Sequence, residues 1–186
     1  MVIPRSWTKT DAVAATKEFL AAPPPRRTAI RDLMTGLLST NPYARRCAAD
    51  LARLISAREP GILGRYADVL IDLVSDTPFV QWQARGYITL AAALNASTRA
   101  QRLKLATLVR ALAVDQRNAL RAIALEAFAI LAVSEPELRD EVTVVLEHAL
   151  REGTSAMRSR SRRMLLLLLA SEKRPTRGNR GSKPAS

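Results

Sequence analysis

Apolar residues along this chain recur three and four positions apart, the spacing of helix faces, and strict strand-like alternation is hard to find. Four windows share a longer frame. Each begins with an apolar or small residue, continues in three of the four with arginine, and then places small and apolar residues at fixed distances. The frames are Ala44, Arg45, Ala48, Leu51, Ala52, Ile55; Val80, Gln81, Ala84, Tyr87, Ile88, Ala91; Leu120, Arg121, Ala124, Ala127, Phe128, Leu131; and Met157, Arg158, Ser161, Met164, Leu165, Leu168. Their starts are offset by 36, 40 and 37 residues. A fixed period of this size is the signature of stacked repeats.

Between the frames lie further amphipathic stripes: Ile30, Leu33, Met34, Leu37; Val69, Leu70, Leu73, Val74; Leu105, Leu108, Val109, Leu112; and Leu138, Val142, Val145, Leu146, Ala149. Together these predict four helix pairs, at 28–39 with 42–57, 62–75 with 78–95, 99–114 with 117–133, and 136–151 with 154–171. An extra helix over 9–22 is stopped by the proline run 23–25, which lacks backbone donors. Pro42 and Pro78 sit where second helices should open, a position that tolerates proline. Asn41, Thr77 and Thr154 are the expected N-caps. The reading is thus an N-terminal helix and proline linker over 1–27, a repeat domain over 28–171, and a basic tail over 172–186 with no apolar face, expected to be disordered.

Paired helices with aspartate before the second helix, as with Asp76 and Asp115, and an apolar–Arg–x–x–Ala frame opening it, resemble HEAT repeats. The resemblance covers about 28–171. It departs from that family's pattern at Gln81, which replaces arginine, and at Asn41, which replaces aspartate; the period is also slightly short of the usual ~40–47. It implies an all-α solenoid of about four helix pairs, in which second helices line a concave face. The arginine ladder Arg45, Arg121, Arg158, with Gln81 in the same register, is expected to tie adjacent hairpins through carboxylates or carbonyls.

Composition narrows the function. Aromatics are 4% of the chain, glycine is scarce, and the formal net charge is +12. The charge is uneven: the predicted second helices sum to +8 and the first helices to +1. Second-helix residues pointing away from the core stripe are Arg46, Arg53, Trp82, Arg85, Arg162 and Arg163, flanked by Arg158 and Arg160. Such a ridge suits a macromolecular partner. Most HEAT solenoids bind proteins, so the resemblance puts a protein partner first. Nucleic acid is the alternative, because phosphate contacts need cations in a line and no fixed base code. Trp82 is either an exposed interface anchor or a filler between hairpins. Gly86, one turn on, would permit a close helix approach.

Catalytic chemistry is poorly supplied. His148 is the single histidine and Cys47 the single cysteine, so internal disulfides are excluded and metal or nucleophile–base sets have few candidates. Cys47 lies in an apolar stripe and reads as core. Asp68 and Asp72 share a helix face, which reads as a solvated acidic surface. No glycine-rich phosphate loop is found, and no cofactor is expected. One HEAT-like family, DNA glycosylases that remove alkylated bases, resembles this chain in its helix pairs and basic concave face. That role asks for aromatics and an aspartate at the concave centre. Here Trp82 stands without an aspartate at helical spacing, and Asp50 and Glu126 belong to other repeats. The expectation is a non-enzymatic adaptor. No apolar run approaches the ~18–20 residues of a membrane span, and the N-terminus lacks the apolar core of a secretion signal, so a cytoplasmic location is expected. Leu166 and Leu167 fall off the core stripe of the last helix and suggest a docking patch, self-association or cover by the tail.

Overall fold

A computed structural model describes residues 9–22, 26–75 and 81–172. Among these residues all regular structure is helical. Helix α1 spans Lys9–Ala21, α2 Arg27–Leu37, α3 Pro42–Arg58, α4 Ala67–Ser75, α5 Trp82–Asn95, α6 Arg99–Ala113, α7 Asn118–Ser134, α8 Arg139–Glu152 and α9 Ser155–Glu172.

Each helix starts where local chemistry permits. The Asn41 side chain accepts hydrogen bonds from the amides of Tyr43 and Ala44, and Pro42 occupies the first turn of α3. Thr154 accepts from the Met157 amide at 3.3 Å. Thr98 and Gln101 form a reciprocal capping box on α6. Three starts differ from the sequence reading. Helix α4 begins at Ala67, because the chain first turns at Gly61, whose φ of 87° favours glycine, and then winds through a 3-10 turn at Gly64–Tyr66. Helix α8 likewise follows a 3-10 turn at Pro136–Leu138. Gln81 is extended, with φ −53° and ψ 141°, so α5 opens at Trp82 rather than at 78. The expected cap Thr77, together with Asp76, Pro78 and Val80, lies outside the described residues, as do the proline run and the tail from 173.

The packing follows the frame. Helices α2 and α3, α4 and α5, α6 and α7, and α8 and α9 pack as consecutive pairs. Within one layer α3 packs on α5, α5 on α7 and α7 on α9, while α1 covers α3. A single cluster of buried apolar residues runs from Phe19 to Leu168 through all four pairs. The small frame residues Ala48, Ala84, Ala124 and Ser161 are fully buried. Gly86 brings α5 close to α7: a Cβ there would lie 3.0 Å from Ile123 Cδ1.

Two arginines of the ladder bond carbonyls of their own hairpins. Arg45 donates to the Ser39 carbonyl at 2.7 and 3.0 Å, and Arg158 to the Gly153 carbonyl at 2.7 Å, both within their own hairpins. The buried Nε of Arg121 makes no hydrogen bond. These arginines open a second helix beside the carbonyl-rich end of the first, where a cation is favoured. Adjacent pairs are instead joined by arginines near the start of the first helices. Arg26 donates to the Leu20 and Ala22 carbonyls that end α1, Arg102 to Ala96 and Ser97 after α5, and Arg139 to Ala132 and Val133 at the end of α7. Each also pairs with a glutamate 33 residues later: Arg26 with Glu59 at 2.8 Å, Arg102 with Glu135 at 2.6 Å, Arg139 with Glu172 at 4.0 Å. At the remaining joint Ile62 and Asn95 occupy these places. There Asn95 accepts from the Leu63 amide and donates to the Ser56 hydroxyl, both at 2.7 Å.

Candidate functional site

The layer α3, α5, α7, α9 carries two adjoining cavities. The more polar one, about 340 Å³, is lined by Arg53, Tyr87, Leu90, Ile123, Glu126, Arg160 and Arg163. The other, about 210 Å³, includes Trp82, Gln83, Ala119, Ala122 and Ala156. Tyr87, Ile123 and Arg160 line both, so the two form one groove across four helices. Alanines on α7 and α9 make part of its floor because only small side chains leave room between helices packed this closely.

The three arginines of the groove meet two carboxylates, Asp50 and Glu126. Arg53 is paired with Asp50 one turn earlier and lies over the Tyr87 ring, 4.8 Å from its centre. Glu126 accepts from Arg160 and, at 2.9 Å, from Arg163. Three of the expected ridge arginines thus carry carboxylate partners from the same layer. Trp82, at the first turn of α5, is 36% exposed and lines the smaller cavity. It therefore lines a gap between hairpins and partly faces solvent.

The structure brings Arg53, Trp82, Arg160 and Arg163 together and leaves the other four candidates out of the groove lining. Arg85 was expected to point away from the core. Its Nε donates to the Val74 carbonyl at 2.8 Å, and burial holds its pKa below the usual arginine range. Arg158 is exposed but turned to Gly153, Arg46 is half-buried, and Arg162 is exposed on α9. Tyr87 and Glu126 are among the groove residues that the sequence reading did not place there. Tyr87 was assigned to the core frame, yet it is half-buried. Glu126 was set aside as belonging to another repeat; its frame position, one residue before the buried Ala127, was the available signal.

Other titratable groups have structural settings. Asp68 accepts from Gln101 and Asp72 pairs with Lys104, so the acidic pair on α4 meets α6. The Asp72 carboxylate raises the Lys104 pKa. His148 is exposed. Cys47 is fully buried, and burial pushes its thiol pKa up. No helix among the described residues is long and apolar enough to cross a membrane. No group of three or more candidate metal ligands occurs among them. No protein-family model matches the chain, and no curated protein or solved structure matches it.

Proposed function

We propose that the chain is a HEAT-like α-solenoid acting as a non-catalytic adaptor, and that it takes a protein segment in the groove over α3, α5, α7 and α9. The solenoid reading is supported by the recurring frame, the consecutive pairs and the arginine–glutamate joints at matching positions. The observation that carries the ligand class is the groove's composition. It combines Trp82, Tyr87 and Ile123 with arginines that already hold carboxylates. Exposed aromatics beside arginine are the residue types that anchor protein interfaces. A polyanion groove would present uncompensated cations.

Nucleic acid remains the second reading, favoured by the net charge of +12 and by Arg162, which is exposed beside the groove. The base-excision reading asks for a carboxylate poised at the groove centre. Glu126, the carboxylate there, is held by two arginines.

Affinity purification of the intact chain with and without nuclease tests the proposal. The adaptor reading expects a protein retained after nuclease treatment and lost from the Trp82→Ala chain, with a cost of about 2 kcal/mol or more. Retention of nucleic acid alone, weakened equally for all sequences by Arg53→Gln and Arg163→Gln with a flatter salt slope, would overturn it in favour of the second reading.

A further inference from the structure

The frame shared by the second helices is broken at one end of the layer, on a face separate from the groove. In α7 the stripe Ala122, Leu125, Ala129 and Ala132 is buried. Leu120 and Ile123, on the other side of α7, approach α5 at Gly86. At 100° per residue the stripe therefore faces α9, the other neighbour of α7 in the layer. The corresponding residues of α9 are Ser159, Arg162, Leu166 and Leu169, all exposed. The last position of the stripe makes the contrast clearest. Ser56, Ala92 and Ala132 are each 0% exposed there, and Leu169 is 53% exposed, with Leu166 at 62%. A terminal repeat ordinarily turns a polar face outward; this one turns out leucines.

The charges at this end are inverted relative to the inner joints. On α7, Glu126 receives arginines from α9; its counterpart on α9 is Arg163, beside Arg162. On α6, Arg110 donates to Glu141 of α8 at 2.6 and 2.7 Å; its counterpart on α8 is the exposed Glu147, with Asp140 exposed two turns earlier. A further repeat built like α8 and α9 would set arginine against arginine and glutamate against glutamate. A copy turned over about a two-fold axis parallel to the helices sets α8 of each chain on α9 of the other. Acidic residues then meet basic ones, and the leucines of each α9 lie against α8 of the other copy, where Val144 is 64% exposed. The end face is thus complementary to itself, which is the requirement for an isologous interface.

We infer that the outer face of α8 and α9 binds the same face of a second copy of this chain, with Leu166 and Leu169 of each copy packed on α8 of the other and Arg162 of each against Glu147 of the other. The occupant follows from the charge pattern, and the interface closes after two copies.

Sedimentation velocity of the full chain over a concentration series tests this. The expected result is a dimer that dissociates on dilution. Leu166→Ser with Leu169→Ser should weaken it at least about tenfold, while Val114→Ser, at an 80% exposed site elsewhere, leaves it unchanged. Arg162→Glu and Glu147→Arg should each weaken the dimer alone. An equimolar mixture of the two should restore it, because both charge pairs re-form in the mixed dimer. A chain that is monomeric at every concentration overturns the inference. So do assemblies that grow beyond two, a dimer indifferent to the leucine changes, or single charge variants that fail to rescue one another. All five substituted sites are exposed, so melting curves close to wild type will separate lost association from lost folding.

Discussion

Ala84 is 0% exposed within the apolar cluster, at the same frame position as Ala48 and Ala124. Small side chains there let second helices pack closely, inside the apolar cluster. Ala84→Glu should therefore cost several kcal/mol and lower the melting temperature sharply; an unchanged melt would remove the proposed register. Arg110 and Glu141 illustrate the opposite regime. The Arg110 hydrogen bond holds the Glu141 carboxyl below the usual carboxylate range. A depressed folded pKa gives stability that is present above the unfolded value and lost as pH falls through the folded one. Both side chains are about 40% exposed, so screening limits the effect to under about 1 kcal/mol. Arg110→Gln should melt slightly below wild type at pH 7, and the gap should close as the pH falls through the lowered folded pKa of Glu141.

At the scale of elements, the helix pairs were legible because each carries its own apolar stripe and because caps such as Asn41 act within three residues. The first turns of α4 and α8 were not. The apolar stripe does not distinguish a 3-10 turn from the α-helix it leads into. The joints were also hidden, since Arg26, Arg102 and Arg139 lie off the apolar stripe and their glutamates are 33 residues away. The groove was half legible: its arginines and Trp82 follow from helical geometry, whereas the pairing of Arg160 and Arg163 with Glu126 depends on how α7 sits against α9. The joints differ in depth. Glu135 is 5% exposed at the side chain and Glu59 51%. Glu135→Gln should accordingly cost about 2 kcal/mol or more by weakening a buried pair, and Glu59→Gln under about 1 kcal/mol. Chemical denaturation of the two variants checks the order, and equal losses would contradict it.

For the whole molecule, the described helices bury their apolar faces against one another, with the α9 leucines as the main exception. The buried apolar cluster of the described residues runs from Phe19 to Leu168. A chain ending at Glu172 should keep its helicity and melting temperature, measured by circular dichroism. A marked loss would mean that the tail covers Leu166 and Leu169, which would also compete with pairing of the two copies.

The joint built on Asn95 gives the array an uneven response to its medium. Three seams hold a charged pair, and dissolved ions weaken charged pairs more than neutral hydrogen bonds. The fourth seam, between Leu63, Ser56 and Asn95, is neutral and buried. Raising the salt should therefore loosen the seams at Glu59 and Glu172 first and leave the Asn95 seam unchanged. Amide exchange followed in low and molar salt would record this as faster exchange at the two outer seams, with Leu63 unchanged. Uniform acceleration along the chain would show that the seams yield together.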